Sequence, residues 1–263
     1  MKQRIITASW LIAIIVGALL LGKTALAVLL AVFSLGGAYE HSRLLTEDKN
    51  PVKNSALILA DLAVLAAAYF APRYLFDVYI AAVLILFSVE MMVKEPYADR
   101  CAIMVWGLTY TGLFMALGIR LVLHEQGYYV IIPAALSCAS CDNAAYLVGS
   151  AFGKHKLTPI SPHKTVEGAV GGFFGGYIVF AASYFFAGQA DIPDKMLFYF
   201  AGGIIFGIIG QFGDLAASIV KRKYGVKDYG TVFPGHGGFL DRFDSYLFAF
   251  AAAYVYADIF MGL

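Results

Sequence analysis

Apolar residues run along this chain in nine long stretches separated by short polar gaps. They cover about 5–22, 24–39, 54–71, 74–93, 101–123, 128–152, 166–188, 196–222 and 244–262. Each is near the ~20 residues that a helix needs to cross a bilayer. The pattern therefore predicts an all-α, polytopic membrane protein with about nine transmembrane helices. The first two stretches meet at Lys23 and predict a tight hairpin. Lys2, Arg4 and the Ala25-Leu26-Ala27 tripeptide imitate a secretory leader, but a second apolar run follows at once, so the first stretch reads as a retained span.

Charge sharpens this picture. With the N-terminus in the cytoplasm and sides alternating, 15 of the 19 basic residues fall on the inner side. Only Lys23, Arg73, Arg120 and Lys195 fall outside, one per loop. Such an asymmetry is what orients membrane proteins. It places the C-terminus outside. Composition agrees: 60% hydrophobic and 14% charged residues, with a mean hydropathy of +0.75. A net charge of only +1 argues against an extended nucleic-acid surface. Three cysteines give no disulfide framework, and Cys138 and Cys141 lie in an apolar run as small buried side chains.

The two halves differ. Of 27 glycines, 19 lie beyond position 140. Gly168, Gly172 and Gly176 recur every four residues, as do Gly171 with Gly175 and Gly203 with Gly207, a spacing that lets helices pack closely in lipid. Residues 1–125 read as a transmembrane scaffold and 126–263 as the catalytic region.

Charges inside apolar runs are the candidates for chemistry, since each costs roughly 2.5–3.5 kcal/mol on insertion scales. Asp61, Asp77, Glu90 and Asp258 have no polar sequence neighbours and read as helix-end or interhelical hydrogen-bonding groups. A proton or ion relay through Asp61, Glu90, Asp142 and Asp214 is the rival from another functional class. Asp214 heads a helical stripe in which Ser218, Lys221 and Arg222 follow at four, seven and eight residues. Asp241 and Asp244, three residues apart, also share a face. Two such carboxylates repel by about 3 kcal/mol at 5 Å and an effective dielectric of 20, so a proton or a cation belongs between them. Oxygen-only donors favour Mg²⁺ over zinc. Before them, Gly235-His236-Gly237-Gly238 is either a phosphate cradle built from bare N–H groups or a flexible turn capped by Asp241. The loop GKHKLTPISPHKTVEG, 153–168, adds Ser161, His163, Lys164, Glu167 and a helix-capping Thr165. Acid for metal, base for phosphate and glycine for close approach together point to phosphoryl or nucleotidyl transfer.

The unbroken run S-x-V-K-R-x4-K-D-x-G-x2-F-P-x-H-G-G-F-x-D-R-F-D, from Ser218 to Asp244, resembles the signature of phosphatidate cytidylyltransferases, also called CDP-diacylglycerol synthases. Asp142-x-x-Ala-Tyr146, Gly149, Phe152-Gly153-Lys154 and Ser161-Pro162-x-Lys164-Thr165-x-Glu167-Gly168 resemble a second block of that family. Ala139 and His163 depart from the usual Trp and Lys. The resemblance implies that CTP and phosphatidate react to CDP-diacylglycerol and pyrophosphate at the cytoplasmic face of a bacterial inner membrane, in phospholipid biosynthesis. It implies Mg²⁺ on Asp214, Asp241 and Asp244, with Asp142 and Glu167 as further candidates, K⁺ as a second cation, and a homodimer. Lys221, Arg222, Lys227 and Arg242 would meet phosphates. Ser218, Asp228, His236, Gly237, Gly238, Ser161, Lys164 and Thr165 complete the implied substrate site. The spacing of CDP-alcohol phosphotransferases, a nearer rival, is absent.

Overall fold

The computed structural model describes residues 2–44, 51–93, 96–188, 190–233, 235 and 237–262. Their regular secondary structure is helical. Among the described residues nine helical segments follow in order: α1 Lys2–Leu21, α2 Lys23–Leu44, α3 Pro51–Phe70, α4 Pro72–Met91, α5 Ala98–Leu123, α6 Tyr128–Phe152, α7 Val166–Phe186 and α8 Lys195–Lys223, then α9 Leu240–Met261. Among these described residues, α2 and α4 to α8 are long and apolar enough to cross a membrane, by length and composition. The apolar parts of α1 and α3, Ser9–Leu21 and Ser55–Phe70, are shorter. Large apolar side chains stand fully outward, among them Leu20, Phe70, Met92 and Phe186. Outward-facing apolar side chains of this size suit a bilayer.

The chain divides into two compact units. The first comprises Met1–Leu123 and Lys227–Phe243. Gly22, at φ 101°, ends α1 and turns the chain into α2, a conformation that a side chain would strain. The predicted hairpin at Lys23 is therefore a one-residue break between two helices. Asp61 of α3 is fully buried. Thr111 Oγ1 of α5 and Ser34 Oγ of α2 lie 2.8 and 2.9 Å from its carboxyl oxygens. Thr111 belongs to a wider π-helical turn over Leu108–Leu113, which lets α5 present it. Glu90 of α4 takes the guanidinium of Arg100 on both oxygens, with Nε at 2.8 and 3.0 Å, and accepts the N–H of Tyr97 at 3.1 Å. Both acids are held by interhelical or helix-end partners, so two members of the relay are already committed to structure.

The second unit comprises His124–Val226 and Asp244–Leu263. Its glycines are contact surfaces. A Cβ on Gly176 would lie 2.9 Å from the Cα of Gly207, and one on Gly207 would lie 2.6 Å from the carbonyl oxygen of Phe173. Helices α7 and α8 thus touch backbone to backbone, as the four-residue spacing predicts. Ser137 and Ser140 of α6 donate to the carbonyls of Gly176 and Gly175 at 2.8 and 3.0 Å, fixing α6 to α7. Phe180, Phe198, Phe206 and Tyr256 form the apolar centre.

Candidate active site

Asp142 lies on α6, Asp214 and Lys221 on α8, and Asp244 and Ser245 on the part of α9 that belongs to the second unit. Their contact is possible because Gly213 is bare: a Cβ there would collide with the backbone of Asp244 and Ser245. Asp244 feels the charges of Asp214, Lys221 and Asp142. Asp142 feels Asp214 and Lys164 and is hydrogen-bonded by Ser245. Lys164 Nζ stands 2.8 Å from Asp214 Oδ2, and Lys221 Nζ stands 4.0 Å from Asp244 Oδ2. Three carboxylates and two ammonium groups thus form one mixed cluster. The Asp244–Lys221 side is largely withdrawn from solvent, at 13% and 11% side-chain exposure, while Lys164 and Asp214 keep 26% and 32%. Charges on the more buried side interact more strongly than those at the exposed edge.

Lys164 reaches Asp214 because its loop is tied in several places. Lys164 N–H donates to the Ser161 carbonyl at 3.0 Å, and its own carbonyl accepts from Leu157. Thr165 Oγ1 caps α7 by accepting the N–H of Gly168 at 3.1 Å. Glu167 accepts the N–H groups of Lys154 and His155 at 3.1 and 3.3 Å and meets the His155 ring at 2.6 Å. Sequence reasoning proposed Glu167 for metal; its carboxylate here fastens the loop. Arg222 also serves this loop, its Nε donating to the Ile160 carbonyl at 3.3 Å. Ser218 is buried on α8 between Asp214 and Lys221.

The first unit holds the other half of the motif residues. Asp241 Oδ2 accepts two backbone N–H groups, from Tyr229 at 2.7 Å and Gly238 at 3.0 Å. Phe233 N–H donates to the Gly237 carbonyl at 2.9 Å, and Gly235 and Gly237 adopt φ of 77° and 85°. The turn is therefore capped by Asp241, and the Gly238 N–H faces that carboxylate. His236 lies outside the described residues. Lys227 and Asp228 are exposed. Arg242 Nε is buried with no hydrogen-bond partner among the described residues, a donor suited to an incoming acceptor. Glu40 of α2, which sequence reasoning missed, accepts the N–H groups of Phe239 and Leu240 at 3.0 Å each.

Among the described residues no three His, Cys, Asp or Glu side chains converge to hold a metal ion. The oxygen donors of Asp142, Asp214 and Asp244 nevertheless suit Mg²⁺. That ion commonly takes only one or two carboxylates, keeps several waters and completes its shell with substrate phosphates. The donor chemistry fits, and a three-carboxylate cage is not required.

Comparison with known proteins adds an independent line. The model of the Cytidylyltransferase family matches residues 2–260. The phosphatidate cytidylyltransferase of Staphylococcus haemolyticus is 33% identical over 254 residues, 94% of this chain and 95% of that protein. The Bacillus subtilis protein of the same name is 36% identical over 187 residues, 70% of this chain and 68% of its own. The one from Staphylococcus aureus strain COL reaches 45% over 125 residues, 47% of each chain. The family match takes in every helix from α1 to α9, the acid–lysine cluster and the glycine turn alike, and so the chain belongs to the cytidylyltransferase family.

Proposed function

We propose that this chain transfers the cytidylyl group of CTP to phosphatidate, giving CDP-diacylglycerol and pyrophosphate. A phosphate oxygen of phosphatidate attacks the α-phosphorus of CTP; the bond from that phosphorus to the β-phosphate oxygen breaks, and pyrophosphate departs with its electron pair. The observation that carries this is the mixed cluster: Asp142, Asp214 and Asp244 with Lys164 and Lys221. Both signs of charge gathered on three helices and a loop suit the holding of a polyphosphate and its counter-ion.

Asp214 and Asp244, with Asp142 beside them, would hold Mg²⁺, which neutralises phosphate charge when bound. Asp241 is a further ligand candidate from the sequence signature alone, and K⁺ is the second ion in this scheme. Lys164 and Lys221 lie against the carboxylates of Asp214 and Asp244 and can exchange them for phosphate oxygens. Arg222, Lys227 and Arg242 supply further donors, and Ser218, Asp228, His236, Gly237 and Gly238 shape the nucleotide site. Ser161, Thr165 and Glu167 set the loop that carries Lys164. No residue needs to be covalently modified, and catalysis consists of alignment and charge neutralisation.

The topology in this scheme has nine spans, a cytoplasmic N-terminus, an outer C-terminus and the site facing the cytoplasm of a bacterial cell membrane. The 15 basic residues on one side support it. The homodimer uses surfaces other than Gly172, Gly176 and Gly207, whose faces are already packed within the chain.

Purified protein in mixed micelles with phosphatidate, labelled CTP and Mg²⁺ should release pyrophosphate and CDP-diacylglycerol in equal amounts. Chelation of Mg²⁺ or Asp244→Asn should reduce turnover by about two orders of magnitude or more, the scale of losing a preorganised charge. Folded wild-type protein that formed neither product would end the proposal.

A further inference from the structure

Helix α2 meets the glycine turn along one stripe. Phe33, Gly36, Gly37 and Glu40 follow at helical spacing and share a face. The Phe33 ring lies 6.3, 5.3 and 4.2 Å from the rings of Phe233, Phe239 and Phe243. Gly36 admits the Phe239 ring, which a Cβ would meet at 2.7 Å, and Gly37 admits Leu240. Glu40 ends the stripe and is 3% exposed. Its Oε1 takes the Phe239 N–H and its Oε2 the Leu240 N–H. These donors stand at the start of α9, where a helix leaves its N–H groups unpaired and favours negative charge. Gly230 and Gly238 are bare on the same side, because a Cβ at either would collide with the Glu40 carboxylate.

We infer that Glu40 is a positioning residue for the nucleotide turn. It fixes the first N–H groups of α9 and through them the approach of Asp241 and Arg242, one and two residues beyond Leu240. Two carboxylates share the task, Asp241 holding Tyr229 and Gly238 and Glu40 holding Phe239 and Leu240. Arg43, one turn along α2, supplies counter-charge to Glu40. The inference rests on the assignment of residues 227–244 to the CTP site under Proposed function.

The test uses the full chain in mixed micelles with CTP, phosphatidate and Mg²⁺. Product from the wild type is the first requirement, and its absence would sink the proposed function itself rather than the role of Glu40. Given an active wild type, Glu40→Ala should raise KM for CTP about tenfold or more, the scale of a lost hydrogen bond to a charged group. KM for phosphatidate should stay within about twofold. Glu40→Gln retains one acceptor oxygen and should fall between the two, and it carries the comparison if the alanine variant does not fold. Gly230→Ala should lower kcat/KM for CTP about tenfold alone, but less than about threefold when added to Glu40→Ala, because the colliding carboxylate is gone; added to Glu40→Gln, whose side chain keeps the same shape, it should still cost about tenfold. A KM for CTP unchanged in the folded Glu40 variants, with activity falling only in step with folded protein, would overturn the inference. Equal effects of Gly230→Ala in the wild-type and Glu40→Ala backgrounds would do the same.

Discussion

A single oxygen of Asp241 receives two buried backbone N–H groups, and that geometry makes a quantitative prediction. Asp241→Ala removes the acceptor from Tyr229 N–H and Gly238 N–H together. Each buried donor left unsatisfied costs about 1–3 kcal/mol, so the closed turn loses about 2–6 kcal/mol. Asp241→Asn can keep an oxygen at the same place. Both bonds then survive as neutral ones of roughly half the strength, and the loss is about 1–2 kcal/mol. At about 1.4 kcal/mol per factor of ten, local opening of residues 226–240 should rise about 30-fold or more for alanine and about 5- to 30-fold for asparagine. Hydrogen–deuterium exchange of peptides spanning the turn measures this directly, with peptides from α6 to α8 as internal reference. Alanine exchange within about threefold of wild type, or faster exchange in the asparagine than in the alanine variant, would refute the assignment of Asp241 as the fastener of the turn. The same two proteins separate its second proposed role. If Asp241 also holds the ion, asparagine loses turnover while the turn stays nearly closed.

Two further outcomes follow from packing and burial. Arg100→Leu should destabilise the protein by about 3–5 kcal/mol, because it strands the Glu90 carboxylate at 4% side-chain exposure. The Glu90→Leu/Arg100→Leu pair should recover much of that loss in thermal unfolding, and equal midpoints for single and double variants would count against a buried ion pair. Gly207→Ala should cost about 1–3 kcal/mol by parting α7 from α8. Gly17→Ala, whose Cβ would meet nothing within 4 Å, should cost nothing measurable.

The helices were legible because their cause is local. An apolar run of about 20 residues in lipid satisfies its own backbone as a helix, and its ends fall where polar residues and Gly or Pro begin. The predicted stretch 101–123 is the helix Ala98–Leu123, and 128–152 is Tyr128–Phe152. Length and composition alone recover fewer spans because α1 and α3 have shorter apolar parts. In α9, Asp241, Arg242 and Asp244 crowd the first turns. The cluster of Asp214, Lys221 and Asp244 was partly legible too, since helical periodicity sets Asp214 and Lys221 on one face. Lys164 could be nominated from its loop but not paired, because its partner is 50 positions away on another helix. Glu40 was out of reach: its partners lie 199 and 200 residues later. The pair Gly36-Gly37 just before it was the available hint, marking where another backbone comes close.

The glycine turn shows how one pattern can carry two physical causes. Glycines before a pair of aspartates suit a phosphate cradle, and they equally suit a turn that admits protein carboxylates. Here Gly230 and Gly238 are bare against Glu40, and the Gly238 N–H already points at Asp241. Two carboxylates at the start of α9 would repel a triphosphate approaching that end unless positive charge came with it. Glu40 and Asp241 therefore make the turn rigid at an electrostatic cost that its cations must offset. Arg43 already faces Glu40, and Arg242, with a buried Nε that lacks a partner among the described residues, and the exposed Lys227 are further cations of this unit. Nucleotide affinity should thus depend on these side chains and on the accompanying metal ion more than on bare N–H groups. The glycines contribute by leaving room for the acids that aim them.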